Sequence, residues 1–264
     1  MMQTKKEQIR VMWALVRRDI FVLRQGLRDD LINSAVKVSV LFFVLGVLGI
    51  YFGFRASVAQ DVMIGAVVSV FLSRGFVCAI TDSFDMSDAR FIDYKRVLPL
   101  STSMMLLSKL CSYIITLAVS TLPLFVLAKL YLQDAMPLGN IQWIAFFIMY
   151  CASMVCLSAF FLSIIFCVSF DWFRFNIWQR VLIPMNSFGC IMFSWKRLYF
   201  FSPLFARALL INPCVFIVEG LRASIFGNDA YISVYYCVPV VCLWAVVAVG
   251  ILLRYVGKRV EAGV

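Results

Sequence analysis

Residues 231–253 read YISVYYCVPVVCLWAVVAVGILL, 23 positions without a single Asp, Glu, Lys or Arg. Coiled as a helix at 1.5 Å per residue, the segment is about 34 Å long, enough to cross roughly 30 Å of hydrocarbon. A helix on the surface of a soluble domain would keep a charged face toward water, and this one has none. Five more apolar stretches lie upstream, near 34–54, 61–81, 103–132, 141–170 and 177–195. The pattern predicts an all-α membrane protein of six transmembrane helices. The fifth stretch is the weakest, because Pro184, Asn186 and Gly189 interrupt it. Residues 198–226 are apolar yet broken by Pro203, Asn212, Pro213 and Gly220. Broken backbone survives at membrane depth only when protein buries it, so this segment is expected to be an outer re-entrant helical hairpin before the last span.

The composition agrees with a bilayer environment. Of the 264 residues, 63% are hydrophobic and 14% charged, against about 45–50% and about 25% in soluble domains. No second, polar domain stands out, so residues 1–264 are expected to form one transmembrane domain. Histidine is absent, which removes the commonest general base and metal ligand. The nine cysteines lie mostly inside apolar runs and form no C-x-x-C. They read as reduced, small hydrophobic residues rather than as metal ligands or disulfide partners.

Residues 5–31 have a helical period. Ile9, Trp13, Val16, Ile20, Leu23, Leu27 and Leu31 recur every three or four positions, while Arg10, Arg17, Arg24 and Arg28 lie off that stripe. Such a helix is expected to lie in the headgroup plane, and it lacks the continuous apolar core of a cleavable signal peptide.

The net charge of +10 is unevenly distributed. Lys5, Lys6, Arg10, Arg17, Arg18, Arg24, Arg28, Lys37, Arg90, Lys95, Arg96, Lys109, Arg174, Arg180, Arg254, Lys258 and Arg259 fall on one side of the predicted topology. Arg55, Lys129, Lys196, Arg197, Arg207 and Arg222 fall on the other, and Arg74 lies within the second span. The richer side is cytoplasmic by the positive-inside rule, which places both termini there. The excess charge faces anionic lipid and cytosol, so nucleic acid is not an expected partner. Small residues form a seam in the first span (Ser39, Gly46, Gly49, Gly53) and another in the fourth (Ala152, Cys156, Ala159, Ser163). Seams of this kind let helix backbones approach closely, within one copy or between two.

Enzymatic motifs are missing. The Gly257-Lys258 pair has Leu252 where a phosphate-binding loop needs its first glycine, so no nucleotide site of that type is present. Asp85, Ala89 and Arg90 imitate the opening of the phosphatidyl-alcohol transferase motif. Met86 replaces its glycine, however, and Ser103 and Leu107 occupy the positions of its metal-holding aspartates.

Two polar segments carry more information. In Thr81–Ser101, TDSFDMSDARFIDYKRVLPLS, Asp82 or Ser83 is placed to cap a short helix with Asp85 in its first turn. Lys95 and Arg96 suit its far end, and Pro99 stops it. In Ile211–Asp229, INPCVFIVEGLRASIFGND, Asn212 and Pro213 are N-cap and first helical residue, and Gly227 or Asn228 ends the helix. Glu219 and Arg222, three apart, can pair on one face, and at that depth the pair is expected to be partly wet. Arg74 has two readings: it snorkels or pairs with a carboxylate such as Asp82, or it faces a conduit and contacts an anionic substrate.

This order resembles the membrane subunit of an ABC-2 type exporter. The shared features are an amphipathic N-terminal helix, six spans, a polar loop ending Arg96-Val97-Leu98-Pro99-Leu100-Ser101, and a late Asn212-Pro213…Glu219-Gly220-Leu221-Arg222. The resemblance runs from about Trp13 to the last span; the proline-tryptophan that precedes the family's hairpin appears only as Pro203 followed by Phe205. It implies two membrane copies working with two separate ATPase chains in a bacterial inner membrane, with no cofactor and no catalytic residue in this chain. It further implies that Asp82, Asp85, Asp88, Arg90 and Asp93 belong to the ATPase-coupling loop, and that Asn212, Pro213, Glu219, Gly220 and Arg222 form an outer gate. A secondary transporter or channel subunit, or a membrane-embedded transferase, are the other classes.

The topology is testable directly. Cysteines introduced at Asp88 and Lys95, in a background with the native cysteines silenced, should react with an impermeant thiol reagent only when the cytoplasmic side is opened. Labelling of intact cells from outside reverses the assignment.

Overall fold

The computed structural model describes residues 5–51, 53, 57–87, 101–133, 136, 138–168 and 170–261. Among them the regular structure is entirely helical. Four helices are individually long and apolar enough to cross a membrane: α3 (Ser57–Ser87), α4 (Thr102–Leu132), α5 (Trp143–Cys167) and α11 (Val234–Glu261). They coincide with the predicted second, third, fourth and sixth spans. A bent pair, α9 (Pro203–Leu209) and α10 (Pro213–Phe226), turns by 99° at its break and adds a fifth apolar unit. Short α8 (Trp195–Phe201) precedes it.

The predicted first and fifth spans take different forms. Residues 5–51 are one uninterrupted helical run, comprising α1 (Lys5–Leu41), a π-helical segment (Phe42–Val47) and α2 (Leu48–Tyr51). The expected break between an interfacial helix at 5–31 and a span at 34–54 does not occur. Asp19 of α1 meets Lys109 of α4 at 3.4 Å, and twenty residues later Ser39 accepts a hydrogen bond from Tyr131 of α4 at 2.8 Å. The two helices therefore run side by side, in the same direction, for about 30 Å. Of the predicted apolar stripe Val16 is fully buried, with Met12 beside it, whereas Ile9, Trp13 and Ile20 are exposed. The fifth stretch is displaced toward the N-terminus. It is helical from Phe170 to Ser187 through α6 (Phe170–Ile177), a π-helical segment (Trp178–Leu182) and α7 (Ile183–Ser187), and stops there rather than at 195. Cys190, in the left-handed region at φ 55°, lies in the turn that ends it.

Helices α3 and α5 form the interior and α11 the periphery. Phe71 of α3, Phe125 of α4, and Phe146 and Tyr150 of α5 meet edge-on or stacked, and Thr121 lies 2.9 Å from the Tyr150 hydroxyl. The small-residue seam of the fourth span is consumed within one copy. Cys156 and Ala159 are buried, and Ser163 donates to the Ala248 carbonyl of α11 at 2.7 Å. Because lipid offers no hydrophobic drive between helices, such close approach and internal hydrogen bonding hold the bundle together.

Gly65 of α3 is the tightest contact between a span and the 188–194 turn. A Cβ there would lie 1.8 Å from the Ile191 carbonyl oxygen. Gly65→Ala should therefore push the turn off α3 and lower stability by about 1–3 kcal/mol. Unfolding midpoints of the detergent-solubilised chain will measure it, and an unchanged midpoint rejects the contact.

Candidate functional site

The Asn212-Pro213 start behaves as its chemistry dictates. Asn212 Oδ1 accepts from Cys214 N at 3.0 Å, Pro213 is the first residue of α10, and Gly227 caps the far end with φ 96°. The Asn212 amide also donates to the Met185 carbonyl at 3.0 Å, tying α10 to α7. Helix α10 is buried over nearly its whole length. Gly220 does not break it; a Cβ there would lie 2.7 Å from Met149 Sδ and 2.8 Å from Cys237 Cβ, so glycine lets α10 touch α5 and α11.

Glu219 and Arg222 pair at 3.1 Å, and both side chains have 0% exposure. The expected partly wet pair is therefore dry. The reason is that protein groups take the place of water around both terminal nitrogens of Arg222 and both oxygens of Glu219. Arg222 Nη1 donates to the carbonyls of Cys190 (2.8 Å) and Phe193 (3.0 Å), and Nη2 to those of Asp61 (2.5 Å) and Ile191 (2.7 Å). The left-handed conformation of Cys190 belongs to the turn that brings these carbonyls together. Glu219 Oε1 accepts from Trp195 N at 3.0 Å, which satisfies the first orphan N–H of α8, and Oε2 accepts from Ile232 N at 3.2 Å.

A second pair adjoins the first and was not singled out from sequence. Asp61, the first residue of the predicted 61–81 span, is fully buried. It accepts from the Tyr231 hydroxyl at 2.9 Å and lies 3.0 Å from Arg197 Nη1, whose other nitrogen donates to Ser57 at 2.8 Å. The cluster thus holds two carboxylates and two guanidiniums and is formally neutral. It joins α3, the 188–194 turn, α8, α10 and the residues before α11. The available sequence signal was a lone aspartate at the start of an apolar stretch, which is costly unless paired.

Charges gather again at the opposite end of α3. Asp82 and Asp61 are 21 residues apart, about 31 Å along the axis. Asp82 does not begin a loop helix, because α3 continues through Ser87 and places Asp82, Ser83 and Asp85 inside its last turns. Asp82 instead binds Lys109 of α4 at 2.9 Å, and Lys109 also meets Asp19. The side chain of Asp85, and Asp88, Arg90 and Asp93 entirely, lie outside the described residues. Arg74 pairs bidentately with Asp30 of α1, not with Asp82. The structure therefore gives Arg74 the geometry of the pairing reading, with a partner from a helix that sequence spacing alone does not connect to it.

The chain matches no known protein family, no characterised protein and no solved structure in the comparisons made.

Arg222→Leu strands Glu219 and four carbonyls in a dry site and should cost about 3–5 kcal/mol of stability. Glu219→Gln should destabilise as well, since Glu219 accepts at both oxygens, an amide accepts at only one, and Arg222 loses its counter-charge. The double variant should be more stable than the sum of the singles implies, because it leaves no orphaned charge. Unfolding midpoints of the three variants test this, and strict additivity contradicts the coupling.

Proposed function

We propose that this chain is the permease subunit of an ABC-2 type exporter, in which ATP hydrolysis by two separate chains drives two copies of this one. The transported material is a lipid-linked glycan, a lipid or an amphipathic small molecule. In this reading α1–α2 and α6–α7 serve as the first and fifth crossings, giving six, with both termini cytoplasmic in a bacterial plasma membrane. The observation that carries the proposal is the bent α9–α10 pair, with Asn212-Pro213 at its corner and the Glu219–Arg222 pair inside it, immediately before the last apolar helix. The amphipathic start of α1 and the polar 82–101 segment after α3 support the same order. The buried cluster then acts as the hinge block of an outer gate, since it fixes α8 and α10 against α3.

An ion-coupled secondary transporter is the second reading, favoured by the buried carboxylates of Asp61 and Glu219. Each already has an arginine partner and accepts a hydrogen bond from a backbone N–H or a tyrosine hydroxyl. Their charges are already countered within the cluster, so the exporter reading is preferred.

Co-purification with a Walker-motif ATPase, and transport that stops with ATP depletion but persists with a protonophore, are the expected results. Replacing Asp85 and Asp88 with lysine should weaken that association by about 1.5 kcal/mol or more, and uncouple hydrolysis while insertion is retained. Unchanged assembly and unchanged stimulated hydrolysis remove the 82–93 segment from coupling.

A further inference from the structure

Lys37 stands apart from the other cations packed between helices. Arg74, Lys109, Arg197 and Arg222 each have a carboxylate partner. Among the described residues no carboxylate forms an ion pair with Lys37. Its Nζ donates to Ser73 Oγ at 2.6 Å and to the Ser69 carbonyl at 3.3 Å. The Ser73 hydroxyl proton points to the Ser69 carbonyl at 2.9 Å, so its oxygen lone pair faces the ammonium.

The depth of this contact is set by α3. Its apolar run, Ser57–Ser83, is centred on residue 70, and Ser69 and Ser73 straddle that centre. The ammonium therefore lies within about 5 Å of mid-depth, whereas either interface is about 15 Å away. Sequence counting placed Lys37 with the cytoplasmic charges; the structure puts it too deep to snorkel there. An ammonium carries three donors. Two are used, and the side chain is partly exposed. One turn toward the N-terminus, Asn33 is exposed on the same face. In the other direction Val40 and Val44 are 55% and 47% exposed. A cation with a free donor at mid-depth, an amide beside it and an apolar track beyond it match one ligand chemistry: an anionic head joined to an apolar tail.

We propose that Lys37 binds the phosphate or carboxylate head of an anionic amphiphile, with its tail along Val40 and Val44 of α1. Naming that ligand as cargo rests on the exporter reading. The binding itself does not, and is measured without the ATPase.

The full-length chain in phosphatidylcholine nanodiscs is titrated with phosphatidic acid, and retention is read by native mass spectrometry. Lys37→Met should weaken binding about tenfold, the worth of one charge-assisted hydrogen bond. Lys37→Arg should retain most of it, and Lys196→Met, at the end of the bundle near Asp61, should not change it. Inorganic phosphate in excess should not displace the lipid; displacement indicates a soluble-anion site and overturns the amphiphile. In the unsubstituted chain, trace acylation of Lys37 should be slowed by phosphatidic acid and not by phosphatidylcholine. This arm decides the matter if Lys37→Met fails to fold. Undiminished binding by Lys37→Met, unprotected acylation, or loss of self-association in place of lipid binding each overturns the proposal. Lipid binding that follows this pattern in a chain whose transport ignores ATP counts against the exporter reading alone.

Discussion

A guanidinium with no exposed surface, held by five oxygens, constrains the rest of the fold. Arg222 is stable at its position only if Glu219 neutralises it and backbone carbonyls take the donors of its two terminal nitrogens. That requirement fixes α10 as an interior helix and brings the 188–194 turn against it. It also sets how near α3 must come, since the Asp61 carbonyl is one acceptor. Gly65 follows from the same geometry: α3 has to touch the turn that supplies the carbonyls, and a side chain there would collide with Ile191. Asp61, brought in by its backbone, then has to dispose of its own carboxylate, which Arg197 and Tyr231 accomplish.

The charges that remain inside the bundle fall mainly into two layers, at Asp61 and at Asp82, separated by about the thickness of a hydrocarbon core. Between them the α3–α4–α5 contacts are mainly aromatic and aliphatic, with uncharged hydroxyl contacts such as Thr121–Tyr150 among them. The exception is the seam of α1 and α3, where Asp30–Arg74 and Lys37–Ser73 lie between the layers. Charged side chains are costly at that depth, and among the described residues the ion pair and the ammonium packed between the two layers share this one seam.

Sequence reading recovered what local chemistry determines. Four spans, the Asn212 cap, the Pro213 start, the Gly227 stop and the Glu219–Arg222 pair all depend on residues within a few positions of one another. It failed where the deciding partner is remote. Asp61 and Arg222 are 161 positions apart, and Arg74 and Asp30 are 44 apart, so nothing local announces either contact. The wetness expected for the Glu219–Arg222 pair was wrong for the same reason, because the groups that replace water come from a turn thirty residues upstream. The continuity of α1 past residue 31 was not legible for a different reason. An arginine face opposite an apolar stripe suits a helix lying on a membrane and equally the lower part of one that rises beside its neighbours. Periodicity reports which face is polar and says nothing about the direction of the helix axis.

Rigidity is consequently distributed unequally. Moving α10 relative to α3 means parting Arg222 from Asp61 and the 188–194 carbonyls around a guanidinium that has no exposed surface of its own. Such a block moves as a unit or not at all. The α1–α3 seam is the opposite case. Its bonds are fewer and partly exposed, and Lys37 reaches Ser73 and Ser69 through a flexible four-carbon stem that can follow a displaced partner. If the two ends of this bundle are to be coupled across about 31 Å, the buried cluster is suited to transmit a displacement without deforming. The seam is suited to absorb one. The division follows from how many bonds hold each site together: five oxygens around the Arg222 guanidinium, two around the Lys37 ammonium.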